Sequence, residues 1–225
     1  MKNEKTICLC HDTEKGWGHT DVDPDYAEFA NRTAPKYLEE MLVIEKEMNV
    51  KVTYNVVACL MNEIRERIES EGHCIAFHSF DHDMNTEQLD RCRQIDDRIR
   101  GYRTTRSVIT PELSDENLRH HHIEWLGSSV KSFGFRTPRM ENGIVKIPIL
   151  FDDFEMYKEK TRYADWEQKA IEKIKENDFV AFGLHDCYAH YWLPHYRKFL
   201  KKIKGMGKFK TFNEVANEVI VSSPE

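Results

Sequence analysis

The chain alternates short apolar runs with amphipathic stretches along nearly its whole length, and that order leaves few folds open. Runs at residues 6–10, 51–57, 74–77, 144–150 and 179–184 are too short for helices and read as buried strands, with shorter ones at 101–103 and 123–126. Between them lie helical patterns. One carries Leu38, Met41, Leu42 and Met48, with Pro35 suited to its first turn. The next runs through Met61, Ile64 and Ile68, and another starts at Thr86 and passes Leu89 and Ile95. Thr110-Pro111 is a further helix start, residues 166–175 and 196–203 form two more, and Thr211 with Glu214 caps the last. Strands alternating with helices at this length predict parallel pairing and a barrel-like α/β fold. No repeat, linker or low-complexity stretch interrupts residues 1–225, so a single domain is expected.

Composition narrows the partners. At 225 residues, 40% hydrophobic and 32% charged, the chain is an ordinary globular protein, and a net charge of -6 argues against nucleic acid. No apolar run approaches the ~20 residues needed to span a bilayer. The first five residues lead straight into a strand, without the apolar segment of a signal peptide. Six cysteines without a C-x-x-C pair read as reduced core thiols, which suggests a cytoplasmic protein.

In a barrel of this kind chemistry gathers where strands end. After the first strand come His11, Asp12, Thr13 and Glu14. After the third come His78 and His82, on either side of Ser79-Phe80-Asp81; after the fourth comes Arg103, and after the last His185 with Asp186. On one turn of helix, His78 and His82 would share a face and could reach one ion. Two imidazoles plus a carboxylate make a catalytic metal site with an open position.

These segments resemble the polysaccharide deacetylases, the NodB-homology or carbohydrate esterase 4 group. Cys10-His11-Asp12-Thr13-Glu14 is similar to a divergent form of its first motif, and His78-Ser79-Phe80-Asp81-His82 matches the second. Gly101-Tyr102-Arg103 is similar to the third, although Thr105 stands where proline is usual, and Gly183-Leu184-His185-Asp186 is similar to the last. The matches run in order from residue 6 to 186. The resemblance implies a distorted (β/α) barrel of about seven parallel strands and a divalent metal. It also implies hydrolysis of acetyl groups, mostly on sugars. The aspartate–tryptophan motif has no clear counterpart, since Asp165-Trp166 begins a predicted helix. Phe135-Arg136-Thr137-Pro138 and Lys146-Ile147-Pro148 resemble segments of remote branches.

The residues themselves suggest roles. His78, His82 and Glu14 are the candidate ligands, with zinc first and nickel, cobalt or iron(II) suited to the same set. Asp12 is assigned as general base, Arg103 as its ionic partner and His185 as the acid for the leaving amine. The reverse assignment of Asp12 and Glu14 stays open. Tyr188 and Trp192, close after His185, and Arg136 are candidates for the substrate groove; Tyr191 is a third aromatic there. Each has a plain alternative: loop carboxylates, a surface arginine, aromatics capping the core. His120-His121-His122 reads as a solvated helix end, His19 and His73 receive no role, and the basic stretch 197–210 reads as a solvated face.

The expected activity is metal-dependent removal of an acyl group from an N-acylated sugar or glycan precursor. A hydrolase of a small non-sugar amide or ureide, or a catalytically silent barrel that binds a glycan or protein, are the alternatives.

Overall fold

The computed structural model describes residues 4–85 and 87–223. Ten strands form one sheet: β1 (Thr6–Thr13), β2 (Thr53–Val56), β3 (Cys74–Phe77), β4 (Gly101–Arg103), β5 (Trp125–Ser129), β6 (Arg139–Glu141), β7 (Ile144–Ile149), β8 (Phe151–Asp152), β9 (Phe179–His185) and β10 (Lys208–Phe209). The order is β6-β7-β5-β4-β3-β2-β1-β9-β8, with β10 beside β1. Among the described residues seven principal strands pair in parallel, as expected of the barrel, and only β6 runs antiparallel, against β7. Closure is made by one run of chain. Residues of β7 pair with β5, Leu150 donates its N–H to the Ala181 carbonyl, and β8 pairs with β9.

Helices α1 (Pro24–Met48), α2 (Met61–Ser70), α3 (Gln88–Ile95), α4 (Asp115–His120), α5 (Val130–Phe133), α6 (Phe154–Lys158), α7 (Tyr163–Glu176), α8 (Ala189–Ile203) and α9 (Phe212–Ser222) complete the fold. The first starts earlier than the sequence pattern suggests. Asp23 caps it by accepting the Tyr26 N–H, Pro24 takes the first turn, and Pro35 falls in the interior. A left-handed Asn49 ends it. Thr110-Pro111 opens only a 3-10 turn, and α4 begins after Ser114, whose side chain accepts the Asn117 N–H. Helix α8 likewise starts earlier, at Ala189, and α9 has its predicted Thr211–Glu214 box. The expected helix start at Thr86 lies outside the described residues, as do residues 1–3.

Strand periodicity sorts the residues of β1 into two faces. Ile7, Leu9 and His11 face the helices, while Cys8 and Cys10 face the barrel interior with Cys74, Ala76, Val145, Ile147 and Ala181. The small interior side chains leave room for Trp125, Phe179 and Phe212. Gly101 is required there, because the Trp125 indole occupies the place of a β-carbon. Helix α9 covers the end where strands begin: the Phe212 N–H donates to Thr53 Oγ1, and Phe212 meets Trp125 edge-on at 5.2 Å. The other end is left open for the loops. All six cysteines are free thiols, five of them buried and Cys59 exposed. No helix among the described residues is long and apolar enough to cross a membrane.

Behind β1 a polar cluster is buried between sheet and helices. Glu45 of α1 accepts from His11 Nε2 at 2.6 Å, Tyr196 Oη at 2.7 Å and Tyr54 Oη at 2.7 Å. His73 Nε2 stands 3.5 Å from the same carboxylate.

Candidate active site

Continuing the inner face of β1 upward gives Asp12 and then Glu14, two residues apart and pointing the same way. The same parity brings Asn55 from β2, His78 from the end of β3, Arg103 from β4 and His185 from β9 to one rim. All of these except Asn55 line a cavity of roughly 530 Å³ together with Gly18, His19, Asp23, Arg106, Asp152, Tyr157 and Tyr188.

The two carboxylates keep different company. Glu14 Oε2 lies 2.9 Å from His82 Nε2 and 3.3 Å from His78 Nε2. One ligand atom from each of these three buried residues falls within 4.8 Å of the others, close enough for one ion. His78 Nδ1 donates to the Arg103 carbonyl at 3.0 Å, which turns Nε2 toward Glu14 as the atom that could meet an ion. The donor set therefore fits a divalent metal, which Glu14, His78 and His82 would hold. Burial opposes ionisation of Glu14, yet His82 and His78 hold its carboxyl well below the usual range.

Asp12 instead accepts from Asn55 Nδ2 at 2.7 Å and faces Arg103 Nε at 3.5 Å and His185 Nε2 at 3.5 Å. Burial pushes this carboxyl up, but Arg103, followed by His78 and His185, outweighs it and keeps the acid ionised. Arg103 is fixed in turn, donating to the Thr104 carbonyl at 2.6 Å and to Ser107 Oγ at 3.2 Å.

His78 and His82 do not sit on a helical turn. The segment is an irregular loop in which Ser79 (φ 61°) and His82 (φ 64°) are left-handed and the His82 N–H donates to Ser79 Oγ at 2.8 Å. The histidines converge because the chain doubles back, a strained route of the kind found at functional sites.

Two candidates lie elsewhere. Trp192 is a core residue: its ring stacks 5.8 Å from His11, and its Nε1 donates to Asp153 Oδ2 at 2.8 Å, so it does not line the cavity. Arg136 is exposed and away from the cavity, because its segment packs on its own helix, with Phe135 stacked on Phe133 at 5.3 Å. Tyr188 does line the cavity, stacked on Tyr157 at 4.9 Å. Asp165-Trp166 belongs to α7, where Trp166 packs in the core and donates Nε1 to the Asp152 carbonyl. His121 is buried against Asp90 at 2.8 Å rather than solvated.

Four residues received no role in the sequence reading. Asp153, fully buried after β8, accepts from His185 Nδ1 at 2.6 Å and from the His185 N–H at 2.8 Å. Burial works against a charged His185, but Asp153 overrides it and raises the imidazole to about 10. The paired carboxylates after the predicted 144–150 strand were the available signal. Asn55 sits within an apolar strand and gives no such signal, since its place opposite Asp12 depends on register. His19 joins Tyr188 Oη at 2.8 Å in the cavity wall. Asp186, buried beneath Glu14, accepts from the N–H groups of Glu14 and Lys15, each at 3.1 Å; burial and the Glu14 charge raise it to about 7.

A parallel barrel with this rim has the architecture of the polysaccharide deacetylases, in agreement with the motif resemblance. No family model matches the sequence, and no curated protein matches it. Solved structures do. A protein described as a polysaccharide deacetylase from Mycobacterium smegmatis is similar over 100% of this chain and 96% of its own, at 14% identity and a TM-score of 0.79. Puue allantoinase is similar over 98% and 91%, at 11% identity and a TM-score of 0.74. A CE4 family pseudoenzyme from Bacillus anthracis is similar over 97% and 67%, at 15% identity and a TM-score of 0.66.

Proposed function

We propose that the protein is a metal-dependent hydrolase that removes an acetyl or similar acyl group from an N-acylated sugar or sugar-derived small molecule. The observation that carries this reading is the division of labour between the two inner-face carboxylates of β1. Glu14 faces two imidazoles, whereas Asp12 faces an arginine, an amide and a third imidazole. When bound, the metal supplies carbonyl polarisation and acidification of water.

The chain's own groups do the rest. Asp12, ionised beside Arg103, takes the proton of the attacking water. His185, protonated because Asp153 faces its Nδ1, gives the Nε2 proton to the departing nitrogen. The aromatic wall of Tyr157 and Tyr188 holds the body of the substrate against the rim. A catalytically silent barrel is disfavoured because this chain carries candidate residues for acid, base and ligand positions alike.

Metal content by plasma mass spectrometry, on protein purified without chelator or nickel affinity, is the first test. Stoichiometric divalent metal, with acetate released from N-acetylated sugars, supports the proposal. Protein that takes up neither zinc nor cobalt overturns it.

A further inference from the structure

Arg106 (φ 49°) and Ser107 (φ 57°) are consecutive left-handed residues just beyond Arg103. Two side chains in this conformation are strained, and the surroundings hold them there. Ser107 Oγ accepts from Arg103 Nη2 at 3.2 Å, and its carbonyl accepts from Ser128 Oγ at 3.4 Å and from Ser132 Oγ. The turn throws the Arg106 side chain across to the loop after β1. There Nη2 donates to Asp21 Oδ1 at 2.9 Å and weakly to the Gly18 carbonyl at 3.4 Å. Nε and Nη1 donate to no group among the described residues.

This arginine lines the candidate active-site cavity, as does Lys158, which forms no ion pair among the described residues. Its distance from the reaction centre can be bounded. A β-carbon on Gly18 would stand 2.5 Å from Glu14 Oε1, so backbone dimensions put Arg106 Nη2 within about 10 Å of that carboxylate. The Arg106–Asp21 pair is itself easily exchanged, because the two side chains are 40% and 64% exposed.

We infer that Arg106 is a specificity-determining residue that selects substrates carrying an oxyanion, a carboxylate or a phosphate, within about 10 Å of the acyl group. Asp21 holds the guanidinium when the cavity is empty and yields it to the substrate oxyanion. Lys158 adds a second positive charge to the cavity wall. The inference rests on the hydrolase reading of the same site.

The test compares N-acetylglucosamine with N-acetylglucosamine 6-phosphate and N-acetylmuramic acid, which separates phosphate from carboxylate. The readout is the charged-to-neutral ratio of kcat/KM for metal-loaded wild type, Arg106→Ala and Asp21→Ala. A charge-assisted bidentate contact predicts a ratio of roughly 10 or more in wild type for at least one charged ligand. Arg106→Ala should bring the ratio down toward one, leaving only the contribution of Lys158. Asp21→Ala should raise it above wild type, because the competing carboxylate is gone. A wild-type ratio of one overturns the inference. So does Asp21→Ala matching Arg106→Ala, the result expected if the pair only ties two loops together. Calorimetric binding of the same three ligands to Asp12→Asn separates this failure from that of the hydrolase reading. Selective oxyanion binding without wild-type hydrolysis sinks the hydrolase and keeps the selectivity. Hydrolysis without selectivity does the reverse, and no binding by any of the three overturns the inference.

Discussion

Asp153 grips His185 twice, taking the ring Nδ1–H on one carboxylate oxygen at 2.6 Å and the backbone N–H on the other at 2.8 Å. The ring is thereby fixed in orientation, with Nε2 aimed at Asp12, and kept protonated well above neutrality.

Asp153→Asn should lower the pKa of His185, because it removes the largest charge holding the imidazolium. The alkaline limb of the kcat profile should shift to lower pH, with kcat down by roughly 10²-fold. The sign for stability follows as well. A raised histidine stabilises the fold below about pH 6.5, and that contribution disappears as pH rises through about 10. Chemical denaturation of wild type and variant at pH 6 and pH 10 checks this.

The two carboxylates of β1 should separate by readout. His78→Ala, His82→Ala and Glu14→Gln should each lose metal in plasma mass spectrometry while far-ultraviolet circular dichroism stays unchanged. Asp12→Asn should keep the metal and lose about 10²–10⁴-fold in turnover. If Asp12→Asn loses metal and Glu14→Gln retains it, the assignment is reversed.

Gly18→Ala should damage the site without damaging the fold. Its new methyl would press on Glu14 Oε1 and lie 3.2 Å from His82 Cε1. The side-chain end of Glu14 can move, so the melting temperature should change little while metal affinity falls about 10-fold, the scale of losing ligand support. Competition with a fluorescent zinc chelator measures it.

Glu45→Gln should cost about 1–3 kcal/mol of stability, the range for leaving buried hydrogen-bonding groups without their partner, because His11, Tyr54 and Tyr196 all turn to that carboxylate. Burial alone would push Glu45 up, but His11 and His73 hold it below its ordinary value. Its contribution is therefore present above about pH 4.5 and lost as pH falls through the folded-state value. A urea titration at pH 7 and pH 4 should show the wild type approaching the variant in acid.

Strand ends were legible because polar side chains after apolar runs mark them, and this placed Asp12, Glu14, His78, Arg103 and His185 on one rim. Asp153 follows the same rule, but its strand breaks at Leu150 and resumes for two residues, so the run seemed to end before the acid. Trp192 misled for a different reason. Proximity in sequence to His185 suggested the cavity, whereas the first turn of α8 rotates the indole into the core. Asn55 and the Arg106–Asp21 pair depend on register and loop path, which no local pattern encodes. The left-handed turn at Ser79 and His82 is invisible for the same reason, since neither is glycine.

The joint at residues 149–153 has a mechanical meaning. The chain that seals the barrel between β5 and β9 passes, within two residues, into the aspartate that orients His185. Fraying of the seam and misalignment of the proton donor are therefore one event. Loosening this joint, even by a substitution at Leu150 that touches no polar group, should silence proton delivery before the barrel as a whole gives way.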